Sequence, residues 1–118
     1  METIEKIFDI ALLYNSTWKG SAEIAGQDND YTLFLGMDKT ATWTSVTLKE
    51  NPDDNVTLKF SGTWTNDKNE LTITMDNVVE GILQQPLPLT MHATVNGNEM
   101  TLTDYNINLT REFSYPQK

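Results

Sequence analysis

His92 is the single histidine of the chain, and there is no cysteine. One imidazole and no thiol leave zinc coordination and the Ser-His and Cys-His forms of nucleophilic catalysis without their parts. His92 lies between Thr90 and Thr94 on the polar phase of its segment, so it is expected on the surface. Oxygen ligands are more plentiful in "QDND" at 27–30 and "NPDDNV" at 51–56. Neither stretch has the spacing of a calcium loop with its terminal bidentate Glu. Paired carboxylates can serve as acid and base, but these acids sit in turn-forming sequence with no apolar surroundings to tune them. The residues therefore predict no catalytic group, no metal, no cofactor and no enzyme.

Arg111 is the one side chain whose placement demands a partner. It shares the apolar phase of the last segment with Ile107, Leu109 and Phe113, and a cation facing a core must be compensated.

The elements that position these residues follow from the periodicity. Ile4, Ile7, Phe8, Ala11 and Leu12 recur at helical spacing behind a capping Thr3, which predicts a short amphipathic helix over 3–14. After it the period becomes two. Runs of Thr, Val and aromatic residues separated by Asn, Asp, Gly and Pro predict eight strands, at 17–25, 30–38, 41–49, 55–65, 70–76, 89–95, 99–105 and 107–113. The links are too short for parallel crossovers, so the strands should form an antiparallel meander.

One apolar phase runs through most strands, including Tyr31, Leu33, Leu35 and Met37 in the second and Leu71, Ile73 and Met75 in the fifth. A single buried face on every strand fits a sheet closed on itself. The expected fold is all-β: an eight-stranded antiparallel up-and-down barrel with a short N-terminal helix at its closed end. The third strand fits least well, because Trp43 is in phase with Ser45 and Thr47 while Val46 and Leu48 take the other face, which predicts a bulge or a register change there.

At 118 residues the chain is one domain over 1–118, with the helix in 1–15 and the barrel in 16–114. Seventeen acidic against eight basic residues give a net charge of −9 and argue against nucleic acid as a partner. No run is long and apolar enough for a membrane span, and "METIEKIFDIALLYNST" lacks the basic start and small-residue ending of a signal peptide.

Meander order sorts the loops. Tight links near 39–40, 66–69 and 96–98 share one end with the helix, including Asn96-Gly97, a favoured two-residue hairpin pair. That end is expected to be closed by Trp18, Trp43, Trp64 and Arg111, with the guanidinium stacked on the Trp18 indole once the first and eighth strands meet. The opposite end receives the longer links and the acids Asp28, Asp30, Glu50, Asp53, Asp54, Asp76, Glu80 and Asp104. It is the expected mouth, lined by Ile24, Tyr31, Leu33, Val56, Leu58, Met75, Leu89, Met91, Leu102 and Ile107. In the long link over 77–88, Val78, Val79, Ile82 and Leu83 are expected either as a lid or as an extension that caps the core.

"STWKG" at 16–20 and "NLTREF" at 108–113 resemble the calycin superfamily of lipocalins, fatty-acid-binding proteins and avidins. Many of its members pack a last-strand basic residue across a first-strand Trp. With "TVNGNEMTLTD", the pattern is most similar to small bacterial calycin-like domains, often exported. The Gly-x-Trp that opens the first strand of lipocalins ends the fourth strand here, as Gly62-Thr63-Trp64.

Two functions are carried forward, both for a monomer. The first is a non-catalytic carrier of a small apolar, neutral or cationic ligand in the barrel. The second is a protein-interaction module, an inhibitor or surface component, whose filled barrel binds a basic partner through acidic loops. The resemblance allows both, since small barrels of this kind also serve as protease inhibitors.

Overall fold

The computed structural model describes residues 13–24, 26–81 and 87–112, the side chain of Ile24 excepted. Eight strands follow one another around a closed barrel: β1 (Ser16–Ile24), β2 (Gln27–Leu35), β3 (Thr40–Thr47), β4 (Val56–Asp67), β5 (Glu70–Glu80), β6 (Leu89–Asn96), β7 (Glu99–Leu102) and β8 (Ile107–Arg111). Every neighbouring pair is antiparallel, including β1 with β8. The expected all-β barrel is present.

Alternation along each strand builds the core. Tyr31, Leu33 and Leu35 of β2, Leu71, Ile73 and Met75 of β5, and Met91, Ala93 and Val95 of β6 are buried, while Thr32, Phe34, Thr72, Thr74, His92 and Thr94 between them face outward, exposed or half-buried. Met100, Leu102, Ile107 and Leu109 complete the inner wall from β7 and β8. Each large apolar side chain removed from water in this way contributes about 1.5–3 kcal/mol.

The end at which the chain enters is plugged by hydrogen-bonded indoles. Trp18 is fully buried, and its Nε1 donates to the Ser16 hydroxyl (2.8 Å), which donates to the Leu13 carbonyl (2.6 Å). Trp64 Nε1 donates to the Gly36 carbonyl (3.0 Å), and Tyr14 packs on the same ring at 5.9 Å. Both indoles thus keep their polar handle satisfied while burying their apolar area. Trp43 lies deeper, stacked on Tyr31 at 5.2 Å and in register with Leu33 and Phe60.

Several elements differ from expectation. The predicted helix lies outside the described residues except at its end, where Leu13 to Asn15 form a turn. β3 carries no bulge; it pairs with β2 and β4 without a shift, and Val46 and Leu48 are left partly exposed on the outer face. The irregularity is in β5, which inserts Asp76 and Val79 as extra residues against β4 and runs on to Glu80 instead of ending at 76. Val78 and Val79 therefore belong to a strand, with Val78 packed on the core; Ile82 and Leu83 are outside the described residues. Met37 is in the turn after β2 and is exposed.

Two glycines mark where strands crowd together. A Cβ on Gly62 would collide with the Thr74 carbonyl oxygen of β5, beside the first inserted residue, and one on Gly20 would collide with the Asn108 carbonyl oxygen of β8. Glycine at such points lets a small barrel turn its corners.

Candidate functional site

The opposite end of the barrel is where β1, β3, β5 and β7 finish. The longest loop described there, between β3 and β4, is held by its own side chains. Asn51 accepts a hydrogen bond from the Asp53 amide (3.1 Å) and caps a single 3₁₀ turn over Pro52–Asp54. Asn55 Oδ1 accepts from the Lys49 amide (2.7 Å), which closes the loop at its base. Proline at the start of the turn and two following acids suit a helical N-terminus. The carboxylates of Asp53 and Asp54 are therefore presented on an ordered backbone.

All eight acids expected at this end are exposed; Asp28, Asp30, Glu50, Asp53, Asp54, Glu80 and Asp104 lie there, while Asp76 is within β5, four residues short of its end. The nearby cations are Lys49, which donates to Gln27 Oε1 (3.1 Å), and Lys59, in register with Glu80. Four exposed apolar side chains lie at the same end: Leu48, Val56, Val79 and Tyr105. The cations Lys39, Lys68 and Arg111 are at the plugged end. Asp38, Asp67, Glu70, Glu99 and Glu112 are at that end too, so acids and bases nearly balance there and the excess of acid is at the loop end.

His92 and Asp104 form a pair that sequence reasoning missed. His92 is on the outer face of β6, exposed as expected, with its Nδ1 at 2.9 Å from Asp104 Oδ2. The same carboxylate oxygen accepts the His92 backbone N–H (3.0 Å). Hydrogen bonding by the imidazole, supplemented by that backbone N–H, lowers the Asp104 pKa below its ordinary value. The contact needs the chain to turn back after Leu102, earlier than the expected strand end at 105. Only the observed register brings the two together.

The ten residues expected to line the mouth do not form one open surface. Tyr31, Leu33, Met75, Met91, Leu102 and Ile107 are buried within the core. Leu58 and Leu89 are partly buried against it, and Val56 is 53% exposed at the start of β4. The side chain of Ile24 is outside the described set. Leu33, Met75 and Leu102 have no exposed surface at all, so water-sized space does not reach them. Desolvation raises the Tyr31 phenol pKa above its usual value. Asn29 faces inward above these residues; it accepts from the Thr47 hydroxyl (2.7 Å) and donates to the Gln27 carbonyl (3.1 Å).

Trp18 faces Arg111 across the β1–β8 seam, in register, with Arg111 half-buried. Trp64 receives a different cation, the Lys39 ammonium, at 4.1 Å from its ring centre. Trp43 belongs to the middle of the barrel.

No group of three or more His, Asp or Glu side chains among the described residues is placed to hold a metal ion. No helix among them is long and apolar enough to cross a membrane. No protein-family model, curated protein or solved structure matches the chain.

Proposed function

We propose that this chain is a calycin-like barrel acting as a non-catalytic protein-interaction module, which binds a basic partner through its acidic loop end. The Trp18–Arg111 register supports the calycin reading, since it joins the first-strand Trp and last-strand cation on which that resemblance rests. The observation that carries the function is the surface of the loop end. Seven exposed carboxylates share this end with exposed Leu48, Val56, Val79 and Tyr105, a combination suited to a partner that is cationic and partly apolar. Such charge steers encounter with a basic protein, while the apolar side chains supply area to bury.

The carrier reading draws its support from the rim, where Leu58 and Leu89 are half-buried and Val56 is exposed. It has less support deeper in, where six of the expected lining residues are core.

Binding of a basic globular protein tests the proposal. Asp53→Lys with Asp54→Lys should weaken binding at low salt by about tenfold or more and leave the melting temperature within a few degrees of wild type. Unchanged affinity would count against the module. Native mass spectrometry of the purified protein, with a fluorescence titration against apolar probes, tests the alternative. Saturable binding of a probe below about 100 μM would return the barrel to the carrier reading.

A further inference from the structure

The outer wall of the barrel is polar over β1, where Lys19, Ser21 and Glu23 point outward, and at the start of β4, where Thr57 and Lys59 do. Between these strands β3 turns two apolar side chains to the same wall. Val46 is in register with Asp30 of β2 and Thr57 of β4. Leu48, one position past the end of β3, continues the ladder by donating its amide to the Asp28 carbonyl (2.8 Å). Val46 is half-buried, Leu48 is exposed, and neither belongs to the core.

This apolar column stands beside a column of carboxylates. Side chains directly opposite on neighbouring strands are about 5 Å apart. Asp30 therefore flanks Val46, Asp28 flanks Leu48, and Glu23, opposite Asp28, extends the second row onto β1. Ser21 completes the first row and donates to Asp30 Oδ1 (2.8 Å), which holds that carboxylate in place. No salt bridge among the described residues takes any of the three acids. Lys19 is paired with Glu112 (2.9 Å), and Lys49 donates to Gln27 Oε1 (3.1 Å). A groove of about 320 Å³ lies over the two rows, lined by Ser21, Ala22, Glu23, Asp28, Asp30 and Leu48.

A lysine or arginine side chain is apolar along its stem and cationic at its tip. A wall with apolar side chains in one column and unpaired carboxylates in the next matches both parts. The two rows are two residues apart along the strands, about 7 Å, which is the spacing of alternate side chains in an extended segment.

We propose that the outer wall at Val46, Leu48, Asp28, Asp30 and Glu23 is the face that meets the basic partner, an inference that rests on the basic-partner function above. It takes two Lys or Arg side chains, at alternate positions of an extended segment, with their stems on Val46 and Leu48 and their heads on the carboxylates. A second copy of this chain is a poor occupant, because it would bring the same three acids against their own images.

Two short peptides test this, one of alternating lysine and glycine and one with diaminobutyric acid in place of lysine. At about pH 6 both carry equal charge, and they differ by two methylenes in each stem. At low salt the lysine peptide should bind saturably with a dissociation constant below about 1 mM and shift the methyl resonances of Val46 and Leu48. It should bind about threefold or more tighter than its analogue. Val46→Thr with Leu48→Thr should abolish that preference at unchanged melting temperature. Asp28→Asn with Asp30→Asn, which keeps an acceptor for Ser21, should weaken both peptides by about tenfold. Equal affinity of the two peptides for the wild-type protein, shifts confined to residues 51–56, or binding unaltered by the Asp28 and Asp30 substitutions would overturn this face. Loss of basic-protein binding in the Asp53→Lys, Asp54→Lys variant would then leave the acidic module standing. Failure of peptides and basic proteins alike would overturn both.

Discussion

The Lys39 ammonium sits 4.1 Å from the centre of the Trp64 ring and 5.6 Å from that of Tyr14, so one cation joins the β2–β3 turn to two of the plug's aromatic residues. Its amine also donates to Asn66 Oδ1 (3.4 Å). Lys39 reaches this position from a left-handed backbone conformation, φ 71°, which side chains other than glycine adopt at a cost.

The two effects separate by mutation. Lys39→Ala removes the cation and keeps the strain, and should destabilise by about 0.5–1.5 kcal/mol. Lys39→Gly removes the strain as well and should recover about 0.4–1 kcal/mol relative to alanine. Urea denaturation of both variants checks this; equal midpoints would mean that the turn carries no strain.

Arg111 is half-buried opposite the fully buried Trp18. Arg111→Ala should cost about 1–3 kcal/mol through the lost cation and the apolar stem that covers the seam. It should leave binding of a basic protein at the far end unaltered. An unchanged melting temperature would remove Arg111 from the account of the plug.

Glycine is required at 62 for space, whereas position 97 needs only a residue that accepts a left-handed backbone. Gly62→Ala drives a methyl into the Thr74 carbonyl and should destabilise by about 2 kcal/mol or more. Gly97 has φ 63° and open space around it, so Gly97→Asn should be nearly neutral, Asn being tolerated in left-handed turns. Thermal unfolding of the two variants gives the comparison.

Asp104 makes stability depend on pH in a defined direction. Its carboxyl pKa is lowered in the folded state, first by hydrogen bonding to the His92 ring and then to the His92 backbone N–H. The unfolded chain therefore takes up the proton at higher pH than the folded one. The stability gained is present in full above the ordinary carboxylate value of about 3.9 and is lost as pH falls through the lower folded value. Asp104→Asn should lose less stability than wild type on acidification from about pH 5 to about pH 2. Denaturation midpoints across that range check the sign; parallel curves would refute it.

The period-two pattern was sufficient to find all eight strands, because polar residues alternate so regularly with apolar ones in stretches such as Glu70–Met75, and the short links gave their order around the barrel. It failed where a residue is inserted. After Asp76 the buried position moves from the odd residues to Val78, and the alternation that signals a strand disappears although the strand continues. It also misjudged β3, since Val46 and Leu48 are apolar on the outer face and read as a change of register that does not occur. The acidic end was legible from loop order alone. The Lys39–Trp64 and His92–Asp104 contacts were not, because each depends on turn geometry that places residues distant in sequence within a few ångströms. The depth of the core was legible only in part: apolar phase identifies an inward-facing side chain, but not whether it meets a neighbour or open space.

The seam between β1 and β8 joins residue 18 to residue 111, almost the whole length of the chain. Closing it requires a loop of nearly maximal entropy, and contacts so distant in sequence slow folding. During synthesis the barrel cannot close until its last strand has left the ribosome. Until then the nascent protein is a curled strip of sheet with two free borders.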